Sequence, residues 1–206
     1  MNFENPDFIE FVTPICDFKY SWLVEPDTKF DKNEYKVHCL IPAEKGTEIS
    51  DKLDAMLEEW KQCCKAYDSK KAWKLVDPQP WAYQEEDGNS VLYLKCKRKA
   101  AGVRKDGSTW SIQLPIFDSK GQLVSNRDPL QKLGPGSQGR VKLRARPYSA
   151  PIGVGITLNI QEVQIIKAVE YTAATGFDAV DGGWTDDVKQ ETAEAETFAA
   201  SAAGDF

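Results

Sequence analysis

The chain has 206 residues, is 41% hydrophobic and 11% aromatic, and carries a net charge of -6. That length fits one domain, or one domain with an appendage, and is enough to bury a core without disulfides or metals. No apolar run approaches the roughly 18 residues of a bilayer-spanning helix. The acidic start MNFENPDFIEF lacks the basic head and apolar middle of a signal peptide. The chain is therefore expected to stay in the compartment where it is made, away from membranes. Its cysteines, Cys16, Cys39, Cys63, Cys64 and Cys96, are odd in number and show no C-x-x-C spacing. With His38 as the single histidine, they read as reduced, buried thiols and not as a zinc site.

The first predicted element is a long aromatic-rich strand region, FIEFVTPICDFKYSWLVEP, interrupted at Pro14. KFDKNEYKVHCLIP follows as a half-buried strand, with Tyr35, Val37, Cys39 and Ile41 on one face and a stop at Pro42. Next, Ile49, Leu53, Met56, Leu57, Trp60, Cys64 and Tyr67 keep the three-four spacing of one helix face. Thr47 or Ser50 is expected to cap that helix. AWKLVDPQPWAYQEEDG, with two prolines, reads as an irregular connection. Four strands are predicted after it: residues 91–99, 110–117, 140–146 and 155–167. Turns at Asp106-Gly107, at residues 119–121 and in the glycine-rich run 134–139 separate them. GPGSQG in that run matches G-x-G-x-x-G literally, but a basic strand follows it where a dinucleotide site needs a helix, so it is read as a turn. Beyond Tyr171 the chain turns to Ala, Thr, Gly and acids without an apolar stripe. Residues 172–206 are expected to be a flexible tail appended to a domain of residues 1–171.

Charge is segregated along the chain. Residues 1–94 hold 11 Lys against 19 acids, residues 95–146 hold 13 Lys and Arg against 3 acids, and residues 168–206 hold one Lys against 9 acids. Such a division reads as a polyanion-binding surface beside an acidic tail. The basic block is itself patterned. On the strand 91–99, period two puts Tyr93, Lys95, Lys97 and Lys99 opposite Leu92, Leu94 and Cys96. On the strand 140–146, Arg140, Lys142, Arg144 and Arg146 stand opposite Val141, Leu143 and Ala145, and Tyr148 continues the outer set. Arg104 and Lys105 lie in a hairpin loop, and Trp110 adjoins it, in phase with Ile112, Leu114 and Ile116. Cations at strand spacing with interleaved rings suit an unpaired nucleic-acid strand, since cations track phosphates and rings stack on exposed bases. The two basic strands are expected to line one shared groove.

Taken together, the strands, the single long inserted helix, the basic face and the acidic tail ending in Asp205-Phe206 resemble the replicative single-stranded DNA-binding proteins of tailed phages. YSWLVEPDTKFDKNEYKVHCLIP is similar to the opening strands of that family and GVGITLNIQEVQIIK to its closing strand. The resemblance implies a mainly β chain with a five-stranded oligonucleotide/oligosaccharide-binding (OB) barrel, one long inserted helix and a flexible acidic C-terminal tail. It implies sequence-tolerant binding of single-stranded DNA with no catalysis, cofactor or metal. It also implies replication or recombination proteins as partners, recruited through Asp205 and Phe206, and leaves room for a homo-oligomer. A phage-encoded protein of this kind works in the host cytoplasm. The alternatives are an RNA-binding or strand-annealing protein and, from another class, a metal-dependent nuclease.

Overall fold

The computed structural model describes residues 1–29 and 32–171. Thr13 and Pro14 break the first strand region into β1 (Ile9–Val12) and β2 (Cys16–Asp27). The break is stitched to a later strand, because the Thr13 amide donates to the Val141 carbonyl and the Thr13 hydroxyl accepts from the Val141 amide, both at 3.0 Å. In β3 (Glu34–Pro42) Tyr35, Val37, Cys39 and Ile41 are all buried, the predicted set, which leaves Lys36 and His38 on the opposite side.

Helix α1 (Ala43–Tyr67) starts directly after Pro42, a turn earlier than Thr47 or Ser50 would cap it. Thr47 instead turns its hydroxyl back to the Ala43 carbonyl at 3.1 Å, inside the first turn. Glu44 lies at the positive end of the helix dipole. The buried stripe is Leu53, Met56, Leu57, Trp60 and Cys64, whereas Tyr67 is exposed. Trp60 ties the helix to the barrel by donating from its indole to the Tyr148 carbonyl at 2.9 Å.

The proline-rich connection contains a strand that the sequence reading missed, β4 (Trp81–Glu86), paired along its length with β5 (Asn89–Lys99). The predicted strand over residues 110–117 is in fact two short pieces. β6 (Ala101–Val103) and β7 (Thr109–Ser111) form a small separate hairpin, and β8 (Ile116–Phe117) joins the main sheet. Residues 134–137 form a turn shorter than the predicted 134–139, because Gln138 and Gly139 already belong to the next strand. Gly136 has φ +83 there, and the buried Ser137 hydroxyl bonds to the Val169 backbone. The long pair β9 (Gln138–Ala150) and β10 (Gly153–Lys167) completes the elements of the described residues.

β2, β3, β5, β10 and β9 pair in that order and β9 returns to β2, so the sheet closes into a five-stranded ring. Every contact in the ring is antiparallel except β5 with β10. This is the expected OB barrel, with β1, β4 and β8 as accessory strands. Its interior is filled from every strand, by Phe18, Val37, Cys39, Leu94, Cys96, Leu143, Leu158 and Ile160 among others. The expectations for Asp205 and Phe206, like all those for residues 172–206, lie outside the described residues.

Gly139 marks the tightest seam of the ring. A Cβ there would sit 2.4 Å from the Gln164 carbonyl oxygen and 2.6 Å from the Phe18 ring. Gly139→Ala should therefore destabilise the fold by about 1–3 kcal/mol, the usual range for overpacking. The urea midpoint measures it, and an unchanged midpoint would contradict this packing.

Candidate nucleic-acid interface

The outer face of β2, β3 and β5 is built from cross-strand rows. Lys19 of β2 is opposite His38 of β3, which is opposite Lys95 of β5. The next row runs Trp22, Lys36, Lys97, and beyond it Glu34 faces Lys99. On the other side of His38, Leu40 is paired with Tyr93. Lys19 and Trp22 are three residues apart yet face His38 and Lys36, which are two apart, so β2 carries one extra residue here. Such a bulge re-aims side chains. It contains Tyr20, whose φ of +48 is unusual for a bulky residue and whose ring is 69% exposed.

Three rings meet at this bulge. Tyr20 lies edge-on to His38 with centroids 5.3 Å apart, and His38 lies edge-on to Tyr93 at 5.2 Å. The Tyr93 hydroxyl is hydrogen-bonded to His38 Nδ1, and Lys95 Nζ stands 6.0 Å from the Tyr93 ring centre. Burial, then the Lys95 and Lys36 ammonium groups, push the His38 imidazole down to about 4. Burial, then the neighbouring Tyr20, raises the Tyr93 phenol. Both rings are neutral near pH 7 and present flat, uncharged edges among cations.

Acids flank the face. Lys36 is paired with Asp27, Lys19 with Glu86, and Lys97 with Glu34 at 3.8 Å. The Lys36 contact, followed by the Lys29 amide, holds the Asp27 carboxyl below its usual range. Among the described residues Lys95 and Lys99 form no ion pair. The partly exposed Lys19–Glu86 and Lys97–Glu34 pairs contribute about 0–1 kcal/mol, so an arriving phosphate competes for those lysines, whereas Lys36 is committed to the buried Asp27 carboxylate. The β6–β7 hairpin rises from the Lys99 end. Lys105 is exposed near its tip, and Arg104 is held by the Ser108 hydroxyl and the Thr109 carbonyl. Trp110 covers Gly102, where a Cβ would come within 2.9 Å of its indole nitrogen.

The second basic strand lies elsewhere. β10 stands between β5 and β9 in the ring, so Arg140, Lys142, Arg144 and Arg146 face outward on a different side of the barrel from Lys95, Lys97 and Lys99. The single shared groove expected from the sequence is not formed. Lys142 meets Glu162 at 3.0 Å, Arg144 meets Glu10 at 2.7 Å, and Arg140 Nε donates to the Thr13 carbonyl at 3.3 Å. Tyr148 packs its ring over Gly155. Tyr35 and Trp81 are buried, and Trp73 rests edge-on against Phe3. Tyr20, Trp22, Lys36 and His38 were not singled out from the sequence as contacts. The alternation of β3 held the signal for two of them, since Lys36 and His38 are the residues opposite its apolar set.

The fold is shared with solved structures. The single-stranded DNA-binding protein gp2.5 of bacteriophage T7 matches with a TM-score of 0.66 and 19% identity, over 87% of this chain and 99% of that one. The single-stranded DNA-binding protein of bacteriophage Enc34 matches at 0.55 and 13%, over 84% and 88%. The same Enc34 protein in complex with single-stranded DNA matches at 0.53 and 14%, over 78% and 88%. No family model matches the sequence, and no curated protein does.

The state of His38 has a measurable consequence. The folded protein resists a proton that the unfolded chain takes near 6.5, so this group's contribution to stability is whole above that pH and is lost as pH falls toward 4. The urea midpoint of the wild-type protein should decline over that window more than that of His38→Gln. Parallel profiles would contradict the assignment.

Proposed function

We propose that this protein binds single-stranded DNA without sequence preference along the outer face of β2, β3 and β5. It protects the strand and presents it to replication or recombination enzymes, acting stoichiometrically and without catalysis. The observation that carries this reading is the cluster of Tyr20, His38 and Tyr93 set among Lys19, Lys36, Lys95 and Lys97 on the OB ring. The strand-2 and strand-3 face of an OB barrel, here β3 and β5, is where such folds take up oligonucleotides. The solved proteins that share the fold support the reading, one of them being in complex with single-stranded DNA.

Lys95, Lys97 and Lys99 hold phosphates, and Arg104 and Lys105 reach the strand from the hairpin. Tyr20, Trp22 and Tyr93 stack on bases, each stack contributing about 1–3 kcal/mol. Trp110, lying over Gly102, borders the path. A duplex hides its base faces, so the stacking component favours unpaired strands. A nuclease reading finds less support, because Glu85 and Asp87 sit exposed at the β4–β5 turn and Glu86 is taken up by Lys19. The acidic residues 172–206, with Asp205 and Phe206 at their end, recruit protein partners.

Tryptophan-fluorescence titration with poly-dT and with duplex DNA across a salt series tests this function. Poly-dT should bind more tightly, and log K should fall against log salt with a slope of roughly -3.5 for about five phosphate contacts. The double variant Lys95→Ala/Lys97→Ala should reduce that slope by about 1.4. Equal affinity for duplex, or affinity insensitive to salt, would overturn the reading, and competition by RNA oligomers separates the RNA-binding alternative. Residues 172–206 hold eight acids against one Lys, so their removal should tighten binding most at low salt. Unchanged affinity would confine the tail to partner recruitment.

A further inference from the structure

The basic residues of β9 are separated from the β5 face, yet one row of the barrel joins the two. Lys36 is paired with Lys97, Lys97 with Asn159 of β10, and Asn159 with Arg144 of β9. This row crosses four adjacent strands at right angles to their run, over three strand spacings of about 4.8 Å. It is the single register position at which β5 and β10 pair directly. Nearer the start of the two strands Pro80 intervenes, its carbonyl accepting from the Lys95 amide at 2.7 Å.

The side chains that β10 turns outward here, Thr157, Asn159 and Gln161, are neutral hydrogen-bonding groups, and the buried Ile156, Leu158 and Ile160 alternate with them. No position of the row from Lys36 to Arg144 is itself an acid, and the acids that reach its cations, Asp27, Glu34 and Glu10, come from flanking positions. At its far end the chemistry of the main face recurs. The Arg144 guanidinium lies 4.2 Å from the centre of the Phe8 ring, which is 49% exposed. Arg146, one outward position along β9 and opposite Thr157, is exposed and has no ion pair among the described residues. Glu10 holds Arg144, but this partly exposed pair contributes about 0–1 kcal/mol, and a phosphate can take its place.

We infer that Phe8, Arg144 and Arg146 form a second station for single-stranded DNA, reached by a strand that leaves the β2–β3–β5 face over Lys97 and Asn159 and bends around the barrel. Phe8 offers a stacking surface, the two arginines take phosphates, and Asn159 bridges the stations. The path suits a flexible single strand, whose unpaired bases can reach the Phe8 ring. This inference rests on the reading of the main face given above, and it extends the length of strand that one protein covers.

Oligomer length separates the two stations. With dT oligomers measured by fluorescence anisotropy, a strand of ~5 nucleotides fits the main face alone, and one of ~16 nucleotides spans both, within the range known for OB barrels. The double variant Arg144→Ala/Arg146→Ala in the full chain should lose roughly 25-fold in affinity for the long oligomer at 0.1 M salt, the counterion-release value for two phosphate contacts. It should bind the short one as the wild type does. Because Arg144 also holds Glu10, Arg146→Ala alone provides a variant that breaks no ion pair, and the same selectivity for length is expected of it. Equal losses at both lengths, or no loss at either, would overturn the second station. If the wild type bound neither oligomer, the main-face reading would fall with it.

Discussion

Closure of the barrel between β5 and β10 is the constraint on which the rest of the structure depends. These two strands run parallel and touch in register at one position, Lys97 with Asn159, before they diverge. Arg98 spans the gap, donating from Nη1 to the Ile160 carbonyl at 3.2 Å and to the Gln161 carbonyl at 3.0 Å. Carbonyls left open along a parting seam would be costly if buried without partners. The guanidinium supplies donors there and keeps its stem beside the core. One residue of the basic run thus closes the ring, and its neighbours Lys95, Lys97 and Lys99 are left facing outward by the same alternation.

Once the ring is closed, inside and outside are fixed for every strand. Apolar residues at period two must point into the barrel, so the cations between them have nowhere to go but out. On β3 and β5 this sets Lys36, His38, Lys95 and Lys97 side by side, and the β2 bulge swings Tyr20 and Trp22 into the same field. The acids that could cancel this field, Asp27, Glu34 and Glu86, each engage one lysine. Lys95 and Lys99 form no ion pair among the described residues, so a protein with net charge -6 keeps a local surface attractive to a polyanion. The uncharged state of His38 follows from the same crowding, since neighbouring ammonium groups and burial both disfavour a further positive charge.

Much of this was legible in the sequence wherever a single strand or helix decides the matter. The alternation of Tyr35, Val37, Cys39 and Ile41 and the stripe from Leu53 to Cys64 place their residues correctly, because burial on one face imposes a period. β4 was hidden because Pro78 and Pro80 stand just before it and its closing acids Glu85 and Glu86 mask alternation. It is held as an accessory strand by pairing to β5, which a local pattern does not reveal. Tyr20 and Trp22 escaped notice because a bulge breaks the period that locates outward residues. The common groove for the two basic strands failed for a different reason: each strand was read correctly, but neighbourhood in a closed ring depends on which strand comes between. Here that strand is β10, the last among the described residues.

The central claim is that unpaired DNA lies on the outside of β2, β3 and β5, and photo-crosslinking tests it most directly. Full-length protein bound to an oligomer carrying 5-iododeoxyuridine would be irradiated, digested and sequenced by mass spectrometry. Crosslinks should fall on Tyr20, Trp22 and Tyr93. Crosslinks confined to α1, or to the β4–β5 turn around Asp87, with none on those three rings, would contradict it.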